Sequence, residues 1–188
     1  MLNLPNLLSF SRILLVPLLV AILLTEPHFN NQEWVGLGIF LLASLTDFLD
    51  GFIARRRRQI TKLGKLLDPA ADKILTAAAY ISLVELKVAP SWIVTLLISR
   101  EFAVSALRAF AASEQVVISA SASAKVKTTL QIISIALLII YNQLGEFSHL
   151  APWSLWLAMI ASVYSGAEYF FRFGRLLLAQ PTASEPQE

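Results

Sequence analysis

Six long apolar stretches follow one another along the chain, at about residues 7–25, 34–54, 69–86, 90–112, 128–145 and 151–173. Most of them approach the ~20 residues that a helix needs to cross the hydrocarbon core of a bilayer. Because no water is available there, each backbone polar group must be paired within its own element, and a helix meets that condition. The pattern predicts an all-α, polytopic membrane protein with six transmembrane helices and a short amino-terminal interfacial segment.

The composition agrees with a membrane protein and excludes several kinds of site. Only 15% of the residues are charged, whereas ordinary soluble domains carry about 25%. Cysteine is absent, which excludes disulfides, zinc–thiolate sites and cysteine nucleophiles. The net charge of +2 is too small to indicate a nucleic-acid partner. We expect one six-helix membrane domain over residues 1–176, followed by a disordered polar tail over residues 177–188.

The distribution of basic residues predicts how the chain is oriented. With six crossings, 14 of the 15 basic residues fall on the side of the termini, and Lys87 is the exception. Cytoplasmic loops carry an excess of lysine and arginine. Both termini and the segment 47–72 are therefore expected at the cytoplasmic face, and membrane lipids are expected to surround the helices.

Four carboxylates are concentrated around the connection between the second and third apolar stretches. Asp47 and Asp50 have the spacing i, i+3, and Asp68 and Asp72 have the spacing i, i+4, so each pair shares one helix face. A short connection predicts that the two helices pack as antiparallel neighbours, with the pairs facing each other. Asp68 followed by Pro69 also predicts the start of the third helix, because aspartate is a good cap and proline is tolerated in the first turn.

Oxygen ligands without histidine or cysteine suit Mg²⁺, Mn²⁺ or Ca²⁺. Two pairs of carboxylates could hold two ions, and two such ions can clamp a phosphoryl group during its transfer. Gly51 and Gly64 flank the connection and allow close approach of a ligand, and Arg55 could bind a diphosphate with two hydrogen bonds. The spacing alone leaves two alternatives open: solvated acids at helix ends, and the ion site of a cation transporter.

Together these residues form the pattern Asp47-x2-Asp50-Gly51-x2-Ala54-Arg55-x8-Gly64-x3-Asp68-x3-Asp72, which resembles the signature of the CDP-alcohol phosphatidyltransferases. The resemblance implies a six-helix membrane enzyme in which an alcohol attacks a CDP-linked donor and CMP leaves. It implies Mg²⁺ or Mn²⁺ ligation, with two ions expected, by Asp47, Asp50, Asp68 and Asp72. It also implies that Asp72 is the catalytic base that deprotonates the attacking hydroxyl.

Further stretches resemble the bacterial members whose acceptor is sn-glycerol 3-phosphate, among them NLPNLLSFSRILLVP, KLGKLLDPAADK, ISREFAVSALR, KVKTTLQ and YSGAEYF. This resemblance implies CDP-diacylglycerol as the donor, phosphatidylglycerol and cardiolipin synthesis as the context, the bacterial inner membrane as the location, and a homodimer. The donor contacts that it implies are Asn6, Ser9, Gly51, Arg55, Thr61 and Gly64. Ala124 and Glu168 depart from the family pattern, which favours glycine and aspartate at these places.

A dianionic acceptor needs cations near the metal ligands but distinct from them. Arg100 and Arg108 are eight residues apart, which places them about two turns apart on one helix face. Lys125 and Lys127 open the fifth apolar stretch, where the alternative is a pair of anchors at the membrane surface. These four residues are the candidates for binding glycerol phosphate, whereas Glu101 is expected to point to another part of the helix surface.

Rival functions remain open at this stage. The same family includes enzymes that use serine, inositol phosphate or phosphatidylglycerol as the acceptor, and these would depend less on the four basic residues. A cation transporter would move metal ions and release no CMP.

Overall fold

The computed structural model describes the backbone of residues 4–25, 31–57, 62–113 and 121–179, and the side chains of residues 10–25, 31–46, 70–113 and 121–175. In these ranges the backbone forms α-helices and two short 3-10 helices, and it contains no strand. The six α-helices are α1 (Leu4–Leu24), α2 (Gln32–Arg57), α3 (Lys62–Glu85), α4 (Ser91–Ser113), α5 (Ala122–Ile139) and α6 (Leu150–Ala179). The all-α prediction is confirmed, and each apolar stretch overlaps one helix.

Several helix boundaries differ from the prediction. The third helix begins at Lys62, so Asp68 and Pro69 lie inside it and do not form its start. The leucines and lysines before Asp68 favour a helix and extend it by a turn and a half, although Gly64 lies among them and Pro69 contributes no N–H to it. Similarly, α1 is continuous from Leu4, so the amino-terminal segment from that residue onward is part of the first helix.

The fifth helix lies about six residues earlier than predicted. Ser121 caps its amino terminus, because its hydroxyl accepts a hydrogen bond from the backbone N–H of Ala124 at 3.3 Å. The helix ends at Ile139, and the 3-10 segments Tyr141–Gln143 and Gly145–His149 follow. Gly145 has φ 53°, a left-handed conformation that glycine adopts without steric cost.

The described helices pack around one buried apolar core. α1 contacts α2 and α3, α4 contacts α3 and α6, and α5 packs along α6 while also touching α2 and α3. The largest fully buried apolar side chains come from every helix and include Leu19, Phe40, Leu75, Leu83, Ile93, Leu97, Ile135, Leu138 and Leu155. This arrangement places α3, α4 and α5 side by side, which determines the composition of the site described below.

The outer face of α6 is apolar and its buried face includes polar residues, unlike the pattern in a water-soluble helix. Its outer face carries large side chains that are each more than half exposed: Trp153, Leu157, Ile160, Tyr164 and Phe171. Its buried face carries three serines: Ser154, Ser162 and Ser165. At 1.5 Å per residue the apolar face extends over ~27 Å, close to the thickness of a hydrocarbon core. The outer face of α6 is therefore suited to contact with lipid.

Length and apolarity single out two membrane-crossing candidates among the described residues: Ala122–Ile139 and Gly145–Arg175. Two shorter apolar helical stretches, Phe10–Leu24 and Gln32–Thr46, lie in α1 and α2. Trp92 and Trp156 meet edge to face with ring centroids 5.4 Å apart, near the beginnings of α4 and α6. Tryptophan at this level of a helix is typical of a membrane interface. These features support membrane association, and the number of crossings stays a prediction.

Hydrogen bonds join the helix ends that lie far from the aspartates. Glu33 accepts hydrogen bonds from the side-chain amides of Gln143 at 2.6 Å and Asn142 at 3.4 Å. Gln32 donates to the carbonyl oxygens of Ile22 and Thr25 at the end of α1. A cavity of about 410 Å³ borders this end. Since Asp47 lies 15 residues after Gln32 on the same helix, this end is ~22 Å away from the first carboxylate.

Replacing Ile160 by aspartate tests whether the exposed face of α6 contacts lipid. In water this change at a 59% exposed position would alter stability by less than about 0.5 kcal/mol. In a bilayer a charge near the helix centre costs about 2.5–3.5 kcal/mol, so we expect Ile160→Asp to reduce the protein that resists carbonate extraction from membranes. Ala112→Asp, at an exposed position in the last turn of α4, is the control, and equal loss in both variants would contradict the assignment.

Candidate active site

The four aspartates of the sequence pattern lie on two helices that contact each other. Asp47 and Asp50 belong to α2, and Asp68 and Asp72 belong to α3. Within each pair the helical backbone places the residues three or four positions apart, on one face. The side chains of Asp47, Asp50 and Asp68 lie outside the described residues, so the geometry of the predicted metal site stays a prediction.

Asp72 is the aspartate of this set whose side chain is described, and it is partly buried. The hydroxyl of Thr76 donates a hydrogen bond to the backbone carbonyl oxygen of Asp72 at 3.0 Å, within α3. Asp72 lies close enough to α5 for its negative charge to act on the ammonium group of Lys127. Asp72 and the predicted acceptor cation Lys127 are therefore electrostatic neighbours.

The predicted donor contacts are only partly described. Asn6 and Ser9 in α1, Gly51 and Arg55 in α2, and Gly64 in α3 have helical backbone, and their side-chain surroundings lie outside the described residues. Thr61 lies outside the described residues altogether. The two glycines that flank the connection are thus inside helices, because α2 continues to Arg57 and α3 begins at Lys62.

Both arginines of α4 reach across to α6. Arg100 donates through Nη2 to the hydroxyl of Ser165 at 3.0 Å. Arg108 donates through Nε to the hydroxyl of Tyr169 at 3.0 Å and also lies over the tyrosine ring, with its guanidinium carbon 4.7 Å from the ring centroid. Tyr169 is buried, so it holds Arg108 from a fixed position. Two of the five N–H groups of Arg108 contact Tyr169, which leaves others for an anion.

Glu101 joins the two nearest cations, a role that the sequence did not indicate. Its Oε1 atom accepts from Arg100 Nη1 at 2.9 Å and from Lys127 Nζ at 2.5 Å. The expectation that Glu101 points away from Arg100 is wrong. Adjacent residues are about 100° apart around a helix, but both side chains are long enough for Arg100 Nη1 to reach Glu101 Oε1, and Lys127 of α5 donates to the same oxygen.

The two lysines of α5 differ in their surroundings. Lys127 is buried, with 7% of its side chain exposed, whereas Lys125 is exposed. A two-residue separation turns them to opposite sides of the helix. Lys127 therefore belongs to the same cluster as Arg100 and Glu101, and Lys125 has the setting of a surface anchor.

Hydroxyl groups continue the polar contacts between α5 and α6. Ser123 lies 3.4 Å from the hydroxyl of Ser165 and also donates to Glu168. Glu168 in turn pairs with Arg172 at 2.5 Å. The departure from the family pattern at Glu168 thus keeps a carboxylate that binds a hydroxyl and a cation. Ser123, Ser165 and Tyr169 were not identified from the sequence. Because they are polar residues on the inward faces of apolar helices, that position is the feature by which the sequence could have indicated a role.

Among the described side chains, two kinds of charge are thus neighbours: the carboxylate of Asp72 and the ammonium group of Lys127. Oxygen donors from α2 and α3 suit a hard divalent cation, and the chain offers no competing thiol. Cations from α4 and α5 suit a phosphate, since arginine and lysine both form charge-assisted hydrogen bonds with phosphate oxygens. Such an arrangement can bring two phosphate-bearing molecules together beside a carboxylate base.

The family model described as CDP-alcohol phosphatidyltransferase matches residues 2–164. A protein of Bacillus subtilis (strain 168) named CDP-diacylglycerol–glycerol-3-phosphate 3-phosphatidyltransferase is 40% identical over 183 residues, covering 90% of this chain and 94% of that protein. Proteins of the same name are 36% identical in Rickettsia typhi, over 89% of this chain and 95% of the relative, and 37% identical in Salmonella choleraesuis, over 90% and 85%.

Gly166 and Gly174 of α6 form a matched pair that tests how firmly Arg100 is held. A Cβ atom at Gly166 would lie 3.2 Å from Cγ and from Nε of Arg100, whereas a Cβ at Gly174 would have no neighbour within 4 Å. Alanine is favoured over glycine in a helix by about 0.5–1 kcal/mol. We expect Gly174→Ala to raise the melting temperature in detergent and Gly166→Ala to lower it. Equal stabilisation by both changes would mean that Arg100 can move aside.

Proposed function

The chain belongs to the CDP-alcohol phosphatidyltransferase family, and from this premise we propose that it transfers the phosphatidyl group of CDP-diacylglycerol to sn-glycerol 3-phosphate and releases CMP. The relatives named for this reaction match about nine-tenths of the chain. The observation that carries the choice of acceptor is the set of cations on neighbouring helices: Arg100 and Lys127 meet at Glu101, Arg108 lies about two turns further along α4 on Tyr169, and Lys127 lies within the field of Asp72. The product belongs to phosphatidylglycerol and cardiolipin synthesis.

The proposed reaction joins the acceptor hydroxyl to the phosphorus of the phosphatidyl group and breaks that phosphorus's bond to the oxygen of CMP. The acceptor hydroxyl is neutral, so it becomes a good nucleophile when a base takes its proton. We assign this role to Asp72, which is partly buried beside the cation cluster. A direct displacement requires no covalent intermediate with the protein.

The metal ligands in this proposal are Asp47, Asp50, Asp68 and Asp72. The donor set fits Mg²⁺ or Mn²⁺, because all four ligands are carboxylate oxygens and α2 contacts α3. A pair of such ions, when bound, neutralises charge on the phosphoryl oxygens. The aspartates would hold these ions, and Asn6, Ser9, Gly51, Arg55, Thr61 and Gly64 are assigned to contacts with CDP-diacylglycerol.

The acceptor phosphate is assigned to Arg100, Arg108 and Lys127, with Lys125 at the exposed edge of the same helix. Tyr169 holds the guanidinium of Arg108, and the N–H groups that do not contact Tyr169 can donate to a ligand. Arg108 is therefore suited to binding and releasing the acceptor phosphate. Lys127 contacts Glu101 and also lies within the electric field of Asp72. A phosphate bound there would bring the glycerol hydroxyl toward the catalytic carboxylate.

The membrane setting follows the same proposal. One membrane domain over residues 1–176 lies in the bacterial inner membrane as a six-span, homodimeric protein, followed by the polar tail. Both termini and the site face the cytoplasm, where glycerol phosphate is dissolved. The donor keeps its acyl chains in the bilayer, so the reaction takes place where lipid and water meet.

The proposal is tested by CMP release from purified protein in detergent with CDP-diacylglycerol, Mg²⁺ and a panel of alcohols. Release that requires glycerol 3-phosphate and stops with a chelator is expected. Release with serine, inositol phosphate or phosphatidylglycerol would keep the reaction and overturn the acceptor. Metal-ion flux into liposomes without CMP release would support the transporter alternative.

Asp72→Asn tests the assignment of the base. The amide is nearly the same size as the carboxylate but cannot accept the proton, so we expect the rate of CMP release to fall by about 10²–10⁴-fold, the usual contribution of general acid–base catalysis. Mn²⁺ binding, followed by electron paramagnetic resonance, should persist through the remaining aspartates. Turnover close to that of the unmodified protein would contradict the role.

Arg108→Ala tests the acceptor assignment. We expect the apparent KM for glycerol 3-phosphate to rise about tenfold or more, the worth of one charge-assisted hydrogen bond, while the KM for CDP-diacylglycerol stays the same. Lys87→Ala is the control, because Lys87 is an exposed cation in the connection between α3 and α4. A change confined to the KM for the lipid substrate would move Arg108 to the donor site.

A further inference from the structure

Glu101 is a carboxylate placed among the cations that should attract a phosphate. One of its oxygens accepts from both Arg100 and Lys127, at 2.9 and 2.5 Å. The exposed fractions of the three side chains are small: 19% for Glu101, 12% for Arg100 and 7% for Lys127. A negative group in this position weakens anion binding unless it also places the cations usefully.

The position of Lys127 shows what Glu101 contributes. Two carboxylates act on its ammonium group: Glu101 through direct contact and Asp72 through its charge at longer range. An ammonium group has three N–H donors on a flexible stem. Without Glu101, the direct contact that holds the ammonium group is lost, and the longer-range attraction of Asp72 remains. With Glu101, the ammonium is held on the α4 side, and its other donors remain available.

The same carboxylate also orients Arg100. Glu101 binds Nη1 while Ser165 binds Nη2, so the guanidinium plane is fixed from two helices. Gly166 allows this plane to lie close to α6, since a Cβ there would meet Arg100 at 3.2 Å. Glu101 thus determines where both buried cations of the cluster lie.

We propose that Glu101 is a positioning residue for the acceptor phosphate, acting by holding Lys127 and Arg100 through direct contacts so that their remaining N–H donors face the phosphate. The inference rests on the proposed function, because it assumes that the cluster binds glycerol phosphate. It goes further by assigning to a carboxylate the placement of the cations. A purely structural ion pair would affect stability alone, whereas a positioning residue affects the KM for one substrate.

Glu101→Gln is the first test, because it keeps the size of the side chain and removes its charge. We expect the KM for glycerol 3-phosphate to rise about tenfold or more, the worth of one charge-assisted hydrogen bond. The KM for CDP-diacylglycerol should change less than about twofold. An unchanged KM for glycerol 3-phosphate in the folded variant would overturn the proposal.

Glu168→Gln is the matched control. Glu168 is similarly buried, with 23% of its side chain exposed, and it also binds one cation and accepts from one hydroxyl. If loss of any buried carboxylate near α6 perturbs acceptor binding, both variants will show the same rise in KM, and the proposal fails. A rise confined to Glu101→Gln supports it.

A double-mutant cycle tests whether Glu101 acts through Lys127. In a Lys127→Met background, Glu101→Gln should raise the KM for glycerol 3-phosphate much less than it does alone, because the partner is already gone. Fully additive effects would refute the connection. Should Glu101→Gln not fold, Glu101→Asp replaces it: the shorter carboxylate keeps the charge but reaches the two cations less well, and an intermediate KM is expected.

The outcomes for the two proposals are distinct. If the unmodified protein releases no CMP with glycerol 3-phosphate, the proposed function fails and takes this inference with it. If the unmodified protein uses glycerol 3-phosphate and the KM of the folded Glu101 variant is unchanged, only the role of Glu101 is refuted.

Discussion

The contact of Lys127 and Arg100 with one oxygen of Glu101 is the interaction on which the arrangement of α4, α5 and α6 depends. Charged side chains inside an apolar bundle are stable only when they are paired, because removal from water is costly. Loss of one partner would leave an uncompensated charge and cost about 3–5 kcal/mol. The ion cluster therefore fixes the position of α5 relative to α4, and Ser165 extends the constraint to α6.

This constraint brings together two sets of charges that originate far apart in the sequence. The aspartates belong to α2 and α3, and the cations belong to α4 and α5. Asp72 and Lys127 connect the sets, since each lies in the electric field of the other. A donor bound through its diphosphate and an acceptor bound through its phosphate would otherwise repel. Opposite charges on neighbouring helices make their joint binding possible.

The sequence predicted the parts of the site that depend on short-range spacing. The pairs of aspartates, the helical class and the common direction of Arg100 and Arg108 follow from helical periodicity within one segment. The role of Glu101 could not be predicted in this way, because it depends on Lys127, 26 residues away on another helix. The start of α3 was missed for a different reason: Asp68 and Pro69 form a good start signal, but the residues before them also favour a helix.

The balance of charge in the described cluster bears on which acceptor fits it. Arg100, Arg108 and Lys127 carry three positive charges, and Glu101 carries one negative charge, which leaves an excess of two. A phosphate monoester has a charge of about −1.5 to −2 at pH 7, so glycerol phosphate would neutralise the excess if Asp72 is a metal ligand as proposed. A neutral alcohol would leave both charges uncompensated beside an apolar bundle. For this reason a phosphate-bearing acceptor fits the chemistry of the helices better than an uncharged one.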